Sequence, residues 1–154
     1  AFAGGMGIAG MCDVIVASER ASFAMPEVRI GMFPMIIIAH LVRSLPRKAL
    51  LEMMLTGEAI DAAEAHRLAF VSKLEPDAEA MWQRADALAA AFAQVSPVAL
   101  RLGRKTFGIL ADMPASQALD AAQFLNLTFF MGSDLEEGAN AFLEGRPPSW
   151  QDES

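Results

Sequence analysis

One cysteine, Cys12, occurs in the 154 residues, so an intrachain disulfide and a zinc site built on cysteines are both excluded. Basic side chains are also scarce. Twelve Lys and Arg stand against 19 Asp and Glu, a net charge of −7, and such a chain lacks the basic footprint that nucleic acid requires. No basic residue precedes Arg20, so the apolar start has no charged region of the kind a secretory signal carries. The longest run without a charged side chain, Ala87 to Leu100, is too short to span a bilayer and is interrupted by Pro97. Only two histidines occur, His40 and His66. Neither has a Ser, Cys or Asp at a spacing that suggests a catalytic pair, and packing or surface roles are expected for both. These absences point to the reducing cytoplasm, with no nucleic-acid and no membrane partner.

What is present is apolar. Hydrophobic residues make up 54% of the chain and charged residues 20%, with 10 Met, so a substantial core is expected rather than disorder. Ala1 to Met11 has no charged side chain and is rich in Gly. A free amino terminus is costly in a packed interior. This segment therefore reads as chain entered in mid-fold, with an N-terminal portion expected ahead of Ala1.

Short strands are expected at Val14 to Ala17 and Ser22 to Ala24, followed by a turn segment, Met25 to Pro34. Met35 to Leu45 reads as a helix that stops before Pro46. Lys48 to Leu55 reads as a second helix, with Gly57 as its C-terminal cap. Asp61-Ala62-Ala63-Glu64 resembles a capping box that opens a helix to about Ala69. A brief strand over Val71 to Leu74 follows. Met81, Leu88, Phe92 and Val95 fall on one face of a long helix. Ser96-Pro97 caps the next, Gln117 to Met131 is another, and Ser133-Asp134-Leu135-Glu136 reads as the box that opens the last, to about Leu143. The methionines at 25, 32, 35, 53 and 54 are expected in the core, and Cys12 as a small buried hydrophobe.

Three segments in this order resemble the enoyl-CoA hydratase/isomerase, or crotonase, family. They are Ala3-Gly4-Gly5-Met6-Gly7 with Cys12-Asp13; Phe23-Ala24-Met25-Pro26-Glu27-Val28-Arg29-Ile30-Gly31; and Leu55-Thr56-Gly57-Glu58 with Ala62-Ala63-Glu64-Ala65. Ala141-Phe142-Leu143-Glu144 and Arg146-Pro147 are similar to the family's C-terminus. The resemblance, which extends over nearly the whole chain, implies the later part of an α/β, crotonase-like (ClpP/crotonase) spiral of ββα units. It assigns residues 1–75 to that core and residues 76–154 to a helical trimerisation region. It further implies an acyl-CoA thioester as substrate, no separate cofactor, and a homo-oligomer, either a trimer or a dimer of trimers. The net negative charge does not conflict with this, because a few local cations and helix N-termini suffice to hold phosphates.

The chemistry gives these residues a purpose. Deprotonating or hydrating an acyl thioester builds negative charge on the thioester oxygen, and backbone N–H groups aimed at that oxygen stabilise it. By the resemblance, Gly4 supplies one of two such donors, and Gly4, Gly5, Pro26 and Met35 lie against the substrate. Glu27 matches the second of the two glutamates of family hydratases. Its neighbours Met25, Pro26, Val28 and Ile30 are apolar, a setting suited to an acid or base working near neutral pH. The plain alternatives are a tight turn for the glycines and a surface carboxylate at a helix start for Glu27.

Two departures stand out. Gly7 occupies the position of the family's first hydratase glutamate, and Met35-Ile36-Ile37-Ile38-Ala39 replaces a Gly-rich stretch. Glu27 as single acid/base favours isomerase-type proton transfer over hydration. A non-catalytic acyl-CoA-binding homologue or scaffold subunit is the rival reading.

Overall fold

The computed structural model describes residues 1–150. The chain divides into two compact units, one from Ala1 to Leu88 and one from Ala89 onward.

In the first unit the elements are α1 (Gly4–Gly10), β1 (Val16–Ser18), β2 (Ser22–Phe23), a 3₁₀ helix (Pro26–Ile30), α2 (Met35–Ser44), α3 (Arg47–Thr56), β3 (Ile60–Asp61), α4 (Ala62–Arg67) and β4 (Lys73–Glu75). Helix α5 (Ala78–Phe92) contains the division between the units. β1 runs parallel to β4, with Val16 opposite Lys73, and β2 runs antiparallel to β3, with Ser22 opposite Asp61. The strands lie two residues later than expected at Val14 and Val71, and β3 was not expected. Strands of two or three residues are too short to show a period, so the partner strand alone sets their bounds. Met6, Met25, Leu41, Met54 and Val71 are the largest fully buried side chains. Phe23 and Phe70 meet edge to face, with ring centroids 5.5 Å apart.

Local chemistry explains the helix ends. Leu45 is extended, at φ −129° and ψ 144°, because a residue ahead of proline is pushed out of the helical region. α3 closes on Gly57 at φ 67°. At α4 the Glu64 N–H donates to Asp61 Oδ1 at 2.7 Å, the cap expected there. The reciprocal half of the box is not made. Arg67 instead donates to both Glu64 carboxylate oxygens at 2.6 Å, and this pairing holds the Glu64 carboxyl below its ordinary range.

Helix α4 ends in a Schellman motif: the Ala69 N–H donates to His66 O at 2.9 Å and the Phe70 N–H to Ala65 O at 3.0 Å. Ala69 occupies the left-handed position, at φ 61°. A Cβ there costs about 1–2 kcal/mol, whereas the extra backbone freedom of Gly costs about 0.5–1 kcal/mol. Ala69→Gly is therefore expected to stabilise the protein by about 0.5–1 kcal/mol, read as a higher urea midpoint at unchanged m. His66 Nδ1 lies 2.8 Å from Val71 O, which gives this histidine a structural role in the same turn.

The second unit holds α6 (Pro97–Ala111), α7 (Ala115–Phe130) and α8 (Ser133–Glu144). Ser96 caps α6, accepting from the Ala99 N–H at 2.8 Å, and its hydroxyl donates to Asp134 at the start of α8. Arg146 forms a bidentate pair with Glu137, at 2.7 and 3.0 Å. This pair and the Ser149 N–H lower the Glu137 carboxyl to about 2. The Trp150 indole N–H donates to Gln94 O at 2.9 Å. Two expectations need correction. Gly132, not Ser133, is the N-cap of α8, and it offers no side-chain cap; Asp134, in the first turn, is engaged by Ser96 instead. Val95 lies beyond the end of α5, and the expected face is only partly covered within the described residues: Met81 and Leu88 are half-buried, while Phe92 is exposed. Phe107, Phe124 and Phe130, on α6 and α7, are 65–76% exposed.

Candidate active site

The segment that leads into α1 is held in an unusual conformation. The Gly5 N–H donates to Phe2 O at 2.9 Å, closing a β-turn whose second residue, Ala3, has φ 49° and ψ −124°. That is the second-position geometry of a type II′ turn, which glycine normally supplies, and for Ala it stores about 1–3 kcal/mol of strain. The central peptide of such a turn points its N–H away from the turn's own hydrogen bond. This is the Gly4 N–H, which makes no hydrogen bond within the described residues. A Cβ at Gly4 or Gly5 would meet nothing within 4 Å, and both glycines are exposed, so the turn itself is open to solvent.

The same turn is tied to the segment carrying Glu27. The Ala3 N–H donates to Ala24 O at 2.9 Å, and the Ala24 N–H donates to Ala1 O at 3.2 Å. These bonds form a parallel bridge centred on Phe2 and Ala24. Met25 is fully buried, and Pro26 then opens the 3₁₀ helix at the position where its missing N–H costs nothing. Gly31, at φ 79°, ends that helix. The Met32 N–H donates to Glu27 O at 3.0 Å, and a Cβ at Gly57 would lie 3.2 Å from Val28 Cγ1, so α3 backs the turn closely. Glu27 is half-buried. Its Oε2 is shielded from solvent and has no hydrogen-bond partner among the described residues. An unmatched buried carboxylate oxygen is costly, and such an atom in an otherwise well-bonded turn needs an explanation.

Helix α2 packs on α1. Gly7 is buried, and a Cβ there would stand 2.3 Å from Ile37 Cγ2 and 2.9 Å from Ile37 Cβ. One turn on, a Cβ at Gly10 would stand 2.5 Å from Leu41 Cδ2. Small residues on α1 therefore receive branched ones from α2. In the sequence Ile37 stands out only as part of an unusual apolar run, and nothing there pairs it with Gly7. Met35, at the start of α2, is 69% exposed. The methionines divide: Met25, Met53 and Met54 are core, while Met32 and Met35 are exposed. Cys12 is exposed as well, contrary to the buried role expected of it.

A family model described as Enoyl-CoA hydratase/isomerase matches residues 1–153. The chain belongs to the enoyl-CoA hydratase/isomerase family. Among curated members, the mitochondrial enoyl-CoA hydratase domain-containing protein 3 of Rattus norvegicus is 38% identical over 157 residues, covering 97% of this chain and 50% of the relative. A crystal structure of an enoyl-CoA hydratase from Mycobacterium smegmatis superposes with a TM-score of 0.91 at 29% identity, covering 97% of this chain and 58% of that one. The human enoyl coenzyme A hydratase domain-containing protein 3 gives a TM-score of 0.91 at 35% identity, with 97% and 59% covered. The fold is the α/β crotonase fold, and the chain spans about half to three-fifths of the length of these relatives. Within this family member, the bridge at Ala24 brings the Gly4-Gly5 turn beside the Pro26-Glu27 segment, and Met35 opens the helix packed on α1.

Proposed function

We propose that the protein containing this chain isomerises the double bond of enoyl-CoA thioesters, with Glu27 as its single acid/base. The reading takes the thioester oxygen to the free N–H of Gly4. The Glu27 carboxylate removes a proton from the α-carbon of a 3-enoyl thioester. The electron pair moves into a dienolate, whose oxygen accepts from Gly4. Glu27 then returns the proton to the γ-carbon, giving the 2-enoyl product, so neither water nor a second carboxylate is consumed. Hydration needs more, a base to activate water together with an acid for the α-carbon, and Gly7 has no side chain to share that work. The observation that carries the proposal is the buried, unpartnered Oε2 of Glu27. Pro26, Gly5 and Met35 are assigned to the walls of the acyl site, and no cofactor beyond substrate coenzyme A is assigned.

The test compares 3-enoyl-CoA isomerisation with crotonyl-CoA hydration by the full-length protein. Isomerisation is expected to dominate. Efficient hydration that survives Glu27→Gln would overturn both the residue and the reaction.

Assembly and location belong to the same proposal. Phe107, Phe124, Phe130 and Met131 leave a large apolar area exposed on α6 and α7 and just beyond, more than a lone soluble domain tolerates. A homo-oligomer, trimer or dimer of trimers, is expected to cover it. Sedimentation at micromolar concentration checks this, and a well-folded full-length monomer would refute it. Among the described residues no helix is long and apolar enough to cross a membrane. The cytoplasm is the proposed compartment, to be checked by fractionation, since the rat relative is named mitochondrial.

A further inference from the structure

We propose that Ile37 is the specificity-determining residue of this site: by filling the space that a side chain at position 7 would need, it keeps Glu27 the sole acid/base. The inference rests on the reading of the site given above, but its steric basis is independent of it. Positions 4 and 7 are three residues apart on α1 and so share one face. A side chain at 7 would therefore lie one turn from the free N–H of Gly4, where a carboxylate is placed to activate water against a bound thioester.

Ile37 holds that space. A Cβ at position 7 would come within 2.3 Å of Ile37 Cγ2, and a β-branched residue in a helix has essentially one χ1 available. Rotation would not solve the conflict in any case, because Ile37 Cβ itself would be 2.9 Å away and its Cα 4.0 Å away. Relief requires removing the Cβ or moving α2 bodily. Leu41 resists that movement: it is fully buried and seated against Gly10 on the next turn of the same two helices. Glycine at 7 and isoleucine at 37 are thus a single paired feature of the interface.

This pairing gives graded expectations for the full-length protein. Gly7→Ala in the native background overpacks the interface and lowers the melting temperature by about 2–12 °C. In an Ile37→Ala background the penalty shrinks only in part, because the Cβ remains. With Ile37→Gly it vanishes, and the helix preference of Ala over Gly at position 7 then shows as a small gain. Gly7→Glu alone shows no hydration of crotonyl-CoA, whereas Gly7→Glu with Ile37→Gly gains measurable hydration, at least about 10-fold above the Ile37→Gly background.

A Gly7→Ala change that is tolerated with Ile37 present, or whose penalty is the same in the Ile37→Gly background, overturns the steric claim. A coupled thermal cycle without any gain of hydration in the double variant, in an enzyme that still isomerises, overturns the claim that Ile37 decides the chemistry. If the unmodified protein neither binds nor turns over enoyl-CoA, the proposed function fails instead. The thermal cycle then still decides whether Ile37 closes position 7.

Discussion

Glu27→Gln is expected to lower the isomerisation rate at least about 10²-fold, the lower end for a positioned acid or base and equivalent to about 2.7 kcal/mol of barrier. Gln keeps the size and shape of the side chain but has no carboxylate to take up a proton. The stability readout separates this role from a structural one. A carboxylate that held the turn together would lose bonds on substitution, and the melting temperature would fall. Among the described residues Glu27 Oε2 has no bond to lose, and exchanging a desolvated, unmatched carboxylate for a neutral amide removes a cost. The expected pattern is therefore a large loss of kcat with a melting temperature unchanged or raised. A comparable loss in both would assign Glu27 to the fold. Gly4 admits no equally clean test, since its donor is backbone and Pro in its place would break the turn that aims it. A thioester-bound structure that places the carbonyl oxygen away from Gly4 would remove it from the mechanism.

Leu41→Ala should have the largest effect on stability, about 2–5 kcal/mol. Leu41 is fully buried, and its Cδ2 enters the space left by Gly10, with Phe70 Cε2 also beside that glycine. Truncation leaves a cavity walled by backbone on one side, which cannot collapse to fill it. A fall in denaturant midpoint at unchanged m measures the loss. Ile36, five residues earlier on α2, is the control. It is 88% exposed, and Ile36→Ala is expected to stay within about 0.5 kcal/mol of the parent. Equal losses at the two positions would show that α2 is not anchored on α1 through Leu41. Because the same anchor holds Ile37 over Gly7, Leu41→Ala is also expected to soften the penalty of Gly7→Ala.

Much of the local architecture was legible in the residues. Pro46 ends α2, Gly57 ends α3, and Asp61 and Ser96 cap α4 and α6. Each of these effects acts within about one helical turn, so a short stretch of chain contains both partners. Legibility failed where the deciding partner was distant or competing. Ser133 and Glu136 have the spacing of a capping box, yet the Ser96 hydroxyl takes Asp134 and Gly132, not Ser133, is the N-cap. The Asp61 box closes only halfway because Arg67 claims Glu64. Nothing near Ala69 in the sequence marks it as left-handed, and only its φ of 61° shows it.

The candidate site divides along the same line. Sequence by itself singled out the candidates for chemistry: a Gly-Gly turn at a helix start, one glutamate among apolar neighbours, and no carboxylate at position 7. It also determined the family, because three motifs in order restrict the chain far more than any one of them. Tertiary structure alone decided how those residues meet. The bridge at Ala24 ties the Gly4 turn to the Glu27 segment, α3 backs that segment at Gly57, and α2 presses Ile37 onto Gly7. The physical reason is range. Caps and turns draw on hydrogen bonds within a few residues, whereas close packing depends on the shapes of side chains about 30 positions apart in the sequence, 7 against 37 and 10 against 41, which no local pattern encodes.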